Sequence, residues 1–364
     1  MGEHMKIIHW GILGTGAAAH QFAQGLRSIP TAKLLAVGSR QLATAQSFSQ
    51  QWSVSRCYSS YEELVADKDV DIVYIATPNV LHKEHCLLGL EAGKAVLCEK
   101  PFTLNAKEAK VVIDLAREKQ LFCMEAMWMR FIPLIQRVKQ LLADGIIGDI
   151  KILTADFGVR IPFNEQDRHF NPQLGGGALL DLGIYPISLA FYLLGAPSQV
   201  VSQVSWSQSQ VDEQSAIIFR YANGPLANLF SSFVTQTPQE AVIMGTTGQL
   251  RIHTPIYRPS QFSIQHLPPL TSPSAVTTNW KSTLKQIPLV RRSYNYLSRL
   301  VHRAKKQTVP YQGNGYQYEA VEAMRCYQAG EYESKIMPLA ETLSILETVD
   351  AIRTQWQLQY STEK

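Results

Sequence analysis

The sequence predicts an α/β domain followed by an α+β domain, and three observations predict it. Apolar, strand-like runs alternate with helix-compatible stretches through the first third, the rhythm of βαβ units and a parallel sheet. The first of these runs ends in a glycine-rich turn. After about Met124 the rhythm gives way to alternation of apolar and polar residues, the pattern of half-buried strands. A chain of 364 residues exceeds what one core usually holds, so we place two domains at residues 1–124 and 125–364.

The first run, Ile7 to Leu13, leads into Gly14-Thr15-Gly16-Ala17-Ala18-Ala19, a G-x-G-x-x-A turn between strand and helix. Such glycines permit a tight turn and let backbone N–H groups approach a pyrophosphate, while the small third residue lets helix pack on strand. The helix N-terminus adds its own attraction for anions. Gly14, Thr15, Gly16 and Ala17 are therefore candidates for holding a dinucleotide.

A second run, Lys33 to Val37, ends at Gly38-Ser39-Arg40. An acidic residue there would hydrogen-bond the ribose 2′-hydroxyl of NAD, whereas a hydroxyl and a guanidinium suit a 2′-phosphate. Ser39 and Arg40 favour NADP(H) over NAD(H). The third run, Val70 to Ala76, ends at Thr77-Pro78-Asn79, with His82, His85 and Cys86 following at a helix start. H-x-x-H-C has no partner cluster elsewhere in the sequence, so we expect cofactor contacts there and no metal. Lys94 to Cys98 then carries Glu99-Lys100-Pro101 to the same sheet edge, and Asn105 with Glu108 caps the next helix. Ligands of open α/β sheets lie outside the carboxyl ends of the strands. Gly14, Ser39, Thr77 and Lys100 should converge. A lysine and a glutamate are rarely buried unless paired, and a structural ion pair and a catalytic ammonium both remain open for Lys100.

In the second domain, Ile150 to Phe157, Val200 to Gln208, Ser215 to Tyr221 and Leu226 to Val234 read as half-buried strands. Asp181 and Tyr185 stand four residues apart in a helix-like stretch and share a face. Gly175-Gly176-Gly177 allows close backbone approach before them, and Pro186 predicts a kink or a helix start.

Apolar and charged contents of 46% and 18% are those of an ordinary globular protein. No apolar run reaches the roughly 18–20 residues of a membrane span, and the MGEHMKII start is too polar and short for a signal peptide. Five dispersed cysteines fit reduced thiols in a cytoplasm. The net charge of +4 conceals an asymmetry, because residues 241–317 hold ten Lys or Arg and no Asp or Glu. Within it, residues 277–307 read as a basic insertion. Val290, Tyr294, Leu297, Val301 and Ala304 fall at helical spacing with cations on the other faces. Such a helix either covers a cleft or oligomer edge as a solvated element or meets an anionic membrane surface. Nucleic acid is not an expected partner.

The motifs together resemble the glucose–fructose oxidoreductase / inositol dehydrogenase / rhizopine-catabolism (Gfo/Idh/MocA) superfamily. The resemblance rests on Gly14-Thr15-Gly16, Ala76-Thr77-Pro78-Asn79-x-x-His82, Glu99-Lys100-Pro101, Glu125-Ala126-Met127-Trp128-Met129-Arg130-Phe131 and Gly175 through Tyr185. Gly313-Asn314-Gly315-Tyr316-x-Tyr318-Glu319 and the last helix, Met337 to Gln357, extend it over nearly the whole chain. The Glu-Ala-x-Trp-x-Arg-Phe run and Tyr185 are most similar to the dimeric dihydrodiol dehydrogenase and NADP-dependent D-xylose dehydrogenase branch.

The resemblance implies an N-terminal Rossmann domain and a C-terminal α+β domain with a large, open, mostly antiparallel sheet. It implies a homodimer or tetramer through that sheet, and a last helix that packs back on the Rossmann domain. It also implies an NAD(P)-dependent oxidoreductase acting on a sugar, polyol, cyclic diol or dicarbonyl. Lys100 and Tyr185 would form the proton-handling pair, with Asp181 orienting Lys100 or a substrate hydroxyl. Thr77, Pro78, Asn79, His82, Glu99 and Lys100 would serve the cofactor, and Trp128, Arg130 and Tyr185 the substrate. Many members carry histidine where Tyr185 stands, so this chain departs from inositol dehydrogenase-like chemistry. Two other readings are a sugar–sugar oxidoreductase with tightly held cofactor and a non-catalytic cofactor sensor. Lys100, Asp181 and Tyr185 together speak against the sensor, which needs no proton pair.

Overall fold

The computed structural model describes residues 6–268 and 304–360. Its first third builds a six-stranded parallel sheet of β1 (Ile8–Leu13), β2 (Ala32–Gly38), β3 (Arg56–Tyr58), β4 (Ile72–Ile75), β5 (Ala95–Glu99) and β6 (Cys123–Ala126). The spatial order is β3-β2-β1-β4-β5-β6. Helices α1 (Ala17–Leu26), α2 (Leu42–Trp52), α3 (Tyr61–Val65), α4 (His82–Glu91) and α5 (Ala106–Glu118) connect the strands. The strand order reverses between β1 and β4, and this switch point opens the crevice in which such sheets take ligands. Both faces of the sheet are covered, which is why β4 and β5 are buried at every residue and read as unbroken apolar runs. β3 escapes pattern reading because it has three half-buried residues. β6 pairs with β5 and ends at Ala126, so the first sheet runs past the boundary expected at residue 124.

The second sheet has eight strands in the order β14-β13-β12-β11-β7-β10-β9-β8. The four predicted strands are β7 (Ile150–Gly158), β8 (Gln199–Trp206), β9 (Asp212–Arg220) and β10 (Leu226–Ser232). Four more, β11 (Ala241–Gly245), β12 (Gly248–Ile252), β13 (Gln261–His266) and β14 (Lys305–Thr308), complete it. Among the described strands of this second sheet, only the β7–β10 pair is parallel. One face packs on α7 (Ile184–Leu194), with the end strand β8 against α9 (Leu339–Trp356). The other face leaves Ile152, Val201, Ile218, Leu226 and Phe230 exposed.

Helix α6 (Pro133–Ala143) follows the crossing between domains, and α8 (Tyr316–Ala329) packs on α1. Helix α9 does return to the first domain. It packs on α5, its Thr342 donates to Glu125 at 3.1 Å, and its Asp350 accepts the Ala106 N–H at 2.8 Å. The basic insertion expected over 277–307, with its helical spacing from Val290 to Ala304, lies mostly outside the described residues; its last cations, Lys305 and Lys306, sit in the edge strand β14. The segment Pro172–Leu194 has the length and mean hydropathy (1.6) of a membrane-crossing helix, but 83% of its window is buried, as in a core helix.

Candidate active site

The four strand ends converge as expected. Gly14 follows β1 at φ +100°, and a Cβ there would lie 2.7 Å from the Ala76 carbonyl oxygen, so only glycine lets β1 and β4 approach so closely. Gly16 starts α1, and a Cβ on it would meet nothing within 4 Å. That open space lies over a helix start with no acidic residue in its first turn. Gly16 and Ala17 are exposed here and Thr15 is half-buried. These residues fit the pyrophosphate of a dinucleotide: free room, backbone N–H donors and no opposing charge. Ser39 ends β2 with its hydroxyl 2.6 Å from that of Thr44, and Arg40 beside it is exposed.

The strand ends are stiffened from behind. Thr77 Oγ1 lies 2.8 Å from His85 Nδ1. His82 is almost completely enclosed, with Nδ1 2.8 Å from the Pro101 carbonyl and Nε2 2.9 Å from the Thr77 carbonyl. Burial, opposed by those carbonyls, brings its pKa down to about 4. The expectation that His82 touches the cofactor is thereby corrected: it ties two strand-end loops together beneath the crevice. Asn79, just past Pro78, donates to the Gly175 carbonyl at 3.2 Å and so links the strand end to the second domain.

Lys100 follows β5 on a cis Lys100–Pro101 peptide. Its backbone N–H donates to Glu99 at 3.1 Å, and Glu99 also accepts from the Tyr74 hydroxyl. With both carboxylate oxygens so occupied, Glu99 supports Lys100 from below. The ammonium of Lys100 donates to the Asp181 carbonyl at 2.8 Å and to its carboxylate at 3.1 Å. It also lies 5.0 Å from the centre of the Tyr185 ring. The side chains of Lys100 and Asp181 are 13% and 18% exposed, so the pair borders solvent. Burial acts to lower the Lys100 pKa, but the Asp181 carboxylate and the neighbouring Tyr185 and Glu99 outweigh it and leave the value raised. Burial acts to raise Asp181, but Lys100, Arg168 and His169 hold it far below the usual carboxylate range. Asp181 is thus a fixed anion and no proton acceptor near neutral pH.

Asp181 and Tyr185 are brought to one place by an irregular turn. Leu179–Gly183 is a π-helical turn, and α7 starts at Ile184 with Pro186 in its first turn. Pro186 has no N–H to give to the preceding turn, so the helix restarts there. Before the turn, Gly177 at φ +125° lets Asp212 come close, and Asp212 accepts the Leu179 N–H at 2.6 Å. Tyr185 itself is 6% exposed. Its hydroxyl accepts the indole N–H of Trp128 at 2.9 Å. Burial pushes its pKa up to about 12 against the opposing pull of Lys100 and Trp128.

Trp128 stacks on Tyr316 (4.6 Å, 19°), and Tyr257 stacks on Phe157 (5.1 Å, 15°), giving Tyr185 an aromatic surround. Arg130 is not part of it. It is 0% exposed, donates to the Ser188 hydroxyl and carbonyl at 2.8 and 2.9 Å, and ion-pairs with Glu341 at 2.7 Å. Its expected contact with substrate is corrected, since a fully enclosed and fully partnered guanidinium reaches nothing in the crevice. Sequence reasoning also missed Arg168 and His169, which approach the Asp181 carboxylate at 3.3 and 3.6 Å, and Asp212. No spacing pattern links any of them to Lys100. Among the described residues no group of three or more His, Cys, Asp or Glu is placed to hold a metal ion.

A dinucleotide crevice with a polar, partly buried Lys–Asp–Tyr group at its rim defines a class, the nicotinamide-dependent oxidoreductases. Comparison with known proteins agrees with it. Residues 8–127 match the model described as "Oxidoreductase family, NAD-binding Rossmann fold", and residues 135–251 match the "GFO/IDH/MocA C-terminal domain". The chain belongs to the GFO/IDH/MocA oxidoreductase family and is an NAD(P)-dependent oxidoreductase. It is 32% identical to the trans-1,2-dihydrobenzene-1,2-diol dehydrogenase of Danio rerio, over 97% of this chain and 98% of that one. The D-xylose 1-dehydrogenase (NADP(+)) of Hypocrea jecorina is 31% identical, with 97% and 93% covered. A 3-ketoreductase from Actinomadura kijaniata, solved with NADP and TDP-benzene, superposes with a TM-score of 0.78 at 25% identity, covering 96% of this chain and 98% of that chain.

Proposed function

We propose that the protein transfers hydride between NADP(H) and a carbinol or carbonyl carbon of a sugar, polyol, cyclic diol or dicarbonyl, with Lys100 and Tyr185 handling the proton. The observation that carries this reading is the Lys100 ammonium held by Asp181 5.0 Å from the centre of the Tyr185 ring. When bound, the nicotinamide supplies the hydride acceptor or donor. The chain's own task is the proton, because alcohol oxidation leaves charge on the substrate oxygen. A free tyrosine is a poor base near neutral pH, with a pKa of ~10. A fixed neighbouring ammonium favours the phenolate. Burial keeps Tyr185 protonated near neutral pH, so in the reducing direction its O–H bond breaks and an O–H bond forms on the substrate oxygen. The oxidising direction starts from the phenolate and reverses both.

Gly14, Thr15, Gly16 and Ala17 would hold the pyrophosphate, Ser39 and Arg40 the 2′-phosphate, and Thr77, Pro78 and Asn79 the cofactor rim of the crevice. Trp128 would form a wall of the substrate space. The dihydrodiol and xylose dehydrogenase relatives support the CH–OH substrate class. The exposed apolar residues of the open sheet face support a homodimer or tetramer through that face. Five cysteines without a disulfide support a reducing compartment such as the cytoplasm.

The experiment is a turnover panel of aldoses, polyols, trans-dihydrodiols and α-dicarbonyls, run with NADP(H) and NAD(H). The reading predicts measurable turnover with at least one class and a preference for NADP(H). No turnover with any member contradicts it.

A further inference from the structure

The short turn Trp128–Phe131 touches α7 at two places one helical turn apart. Arg130 grips Ser188 through both its hydroxyl and its carbonyl, and Trp128 donates its indole N–H to Tyr185 Oη at 2.9 Å. Residues three apart on a helix lie on one face, so a single rigid turn reads both. The turn is itself held. Arg130 is enclosed and paired with Glu341, and the Trp128 ring lies stacked on Tyr316. Gly315, at φ +104°, removes the Cβ that would otherwise come within 2.9 Å of the Trp128 ring.

An indole N–H only donates, so Tyr185 Oη must accept from it in both protonation states. The phenolic proton therefore points away from Trp128. Lys100, by contrast, is tied to Asp181 by two hydrogen bonds and is placed by its distance to the ring. We infer that Trp128 is a positioning residue for the proton step: clamped by Arg130 on α7, its indole N–H is the fixed hydrogen-bond donor that orients the Tyr185 hydroxyl and stabilises its phenolate. This rests on the proton-pair reading above and goes beyond a role for Trp128 in lining the substrate space.

The test compares wild type, Trp128→Phe and Tyr185→Phe on the panel substrate that the wild-type enzyme oxidises fastest with NADP+. Phenylalanine keeps an aromatic ring on Tyr316 and removes the donor together with the five-membered ring that carries it. Trp128→Phe is predicted to move the pH limb of kcat/KM governed by Tyr185 upward by about one unit, with kcat near neutral pH falling roughly tenfold. NADPH affinity, read by fluorescence titration, stays within about twofold. As a readout free of turnover, the indole N–H resonance that is missing from Trp128→Phe is predicted to shift in Tyr185→Phe, where its acceptor is gone. Where Trp128→Phe fails to fold, benzothienylalanine at position 128, with sulfur in place of N–H, takes its place.

A lowered kcat with an unmoved pH limb overturns the inference, as does an indole resonance indifferent to Tyr185→Phe. A Tyr185→Phe enzyme that keeps its turnover contradicts the proton-pair reading itself. A dead Tyr185→Phe beside a Trp128→Phe with a wild-type limb contradicts the clamp alone.

Discussion

At the scale of single residues, the site separates charges that are fixed from one that is free to change. Asp181 meets the Lys100 and Arg168 cations and stays ionised, Lys100 is held charged by Asp181, and Tyr185 is the group left to gain or lose a proton. Glu99 and His82 serve from beneath, which sequence alone could not separate from crevice-lining roles: both flank the right motifs, and their hydrogen-bond partners tell them apart. The cofactor end is simpler. Arg40 is exposed at the end of β2. Arg40→Ala is predicted to raise KM for NADP(H) about tenfold or more while leaving KM for NAD(H) nearly unchanged, by loss of one charge-assisted contact to a phosphate. Steady-state kinetics with both cofactors check it; equal effects on the two would mean that Arg40 stacks on the adenine and reads no phosphate.

At the scale of elements, the turn that ends in α7 decides the geometry. Tyr185 is where it is because Gly177 admits Asp212, Asp212 holds the Leu179 N–H, and the π-helical turn resets the helix before Pro186. A Cβ on Gly177 would sit 2.1 Å from an Asp212 carboxylate oxygen, in a backbone conformation that side chains rarely adopt. Gly177→Ala is predicted to cost about 2 kcal/mol or more of stability and to displace Asp181 and Tyr185. Denaturant titration and turnover of the folded variant check it.

The elements differ in how far they could be read beforehand. β1, β2, β4 and β5 are buried on both faces, so their apolar runs were plain, and the glycine turn marked what they carry. The strands β11, β12 and β13 carry glycine and polar residues among their apolar positions, and β14 is the fully exposed tetrapeptide Lys305–Thr308. β12 and β13 do alternate, but over only 5 and 6 residues, and β11 and β14 show no alternation, so no run stands out. Asp212 and Arg168 give no local signal at all. Their role comes from a contact across 33 or 13 residues, with no periodicity behind it.

At the scale of the whole molecule, the two domains are joined by buried polar links as well as by α9. Glu125, in the last strand of the first sheet, accepts from Phe102 and from Thr342 of α9, and burial pushes its pKa up to about 7. Asp212 in the second sheet is raised by burial to about 7 as well. For both groups the folded-state value lies above the unfolded one. Their contribution to stability is therefore full below the ordinary carboxylate range and is lost as pH climbs through about 7. Asp181 acts in the opposite sense, since its depressed value stabilises the fold above the unfolded carboxylate range and is lost on further acidification. Melting temperature is predicted to be higher near about pH 5 than near about pH 8, and Glu125→Gln to flatten that slope. A profile that rises toward pH 8 would contradict the neutral state assigned to these carboxyls.

The central claim is that Lys100 works on the proton of Tyr185 at the edge of the cofactor crevice. Its most direct test is Lys100→Met, assayed for NADPH binding by fluorescence and for turnover on the best panel substrate. The account predicts binding within about a few fold of wild type and turnover lower by roughly 10²–10⁴. A variant that binds NADPH and turns over at the wild-type rate would return Lys100 to a purely structural partner of Asp181.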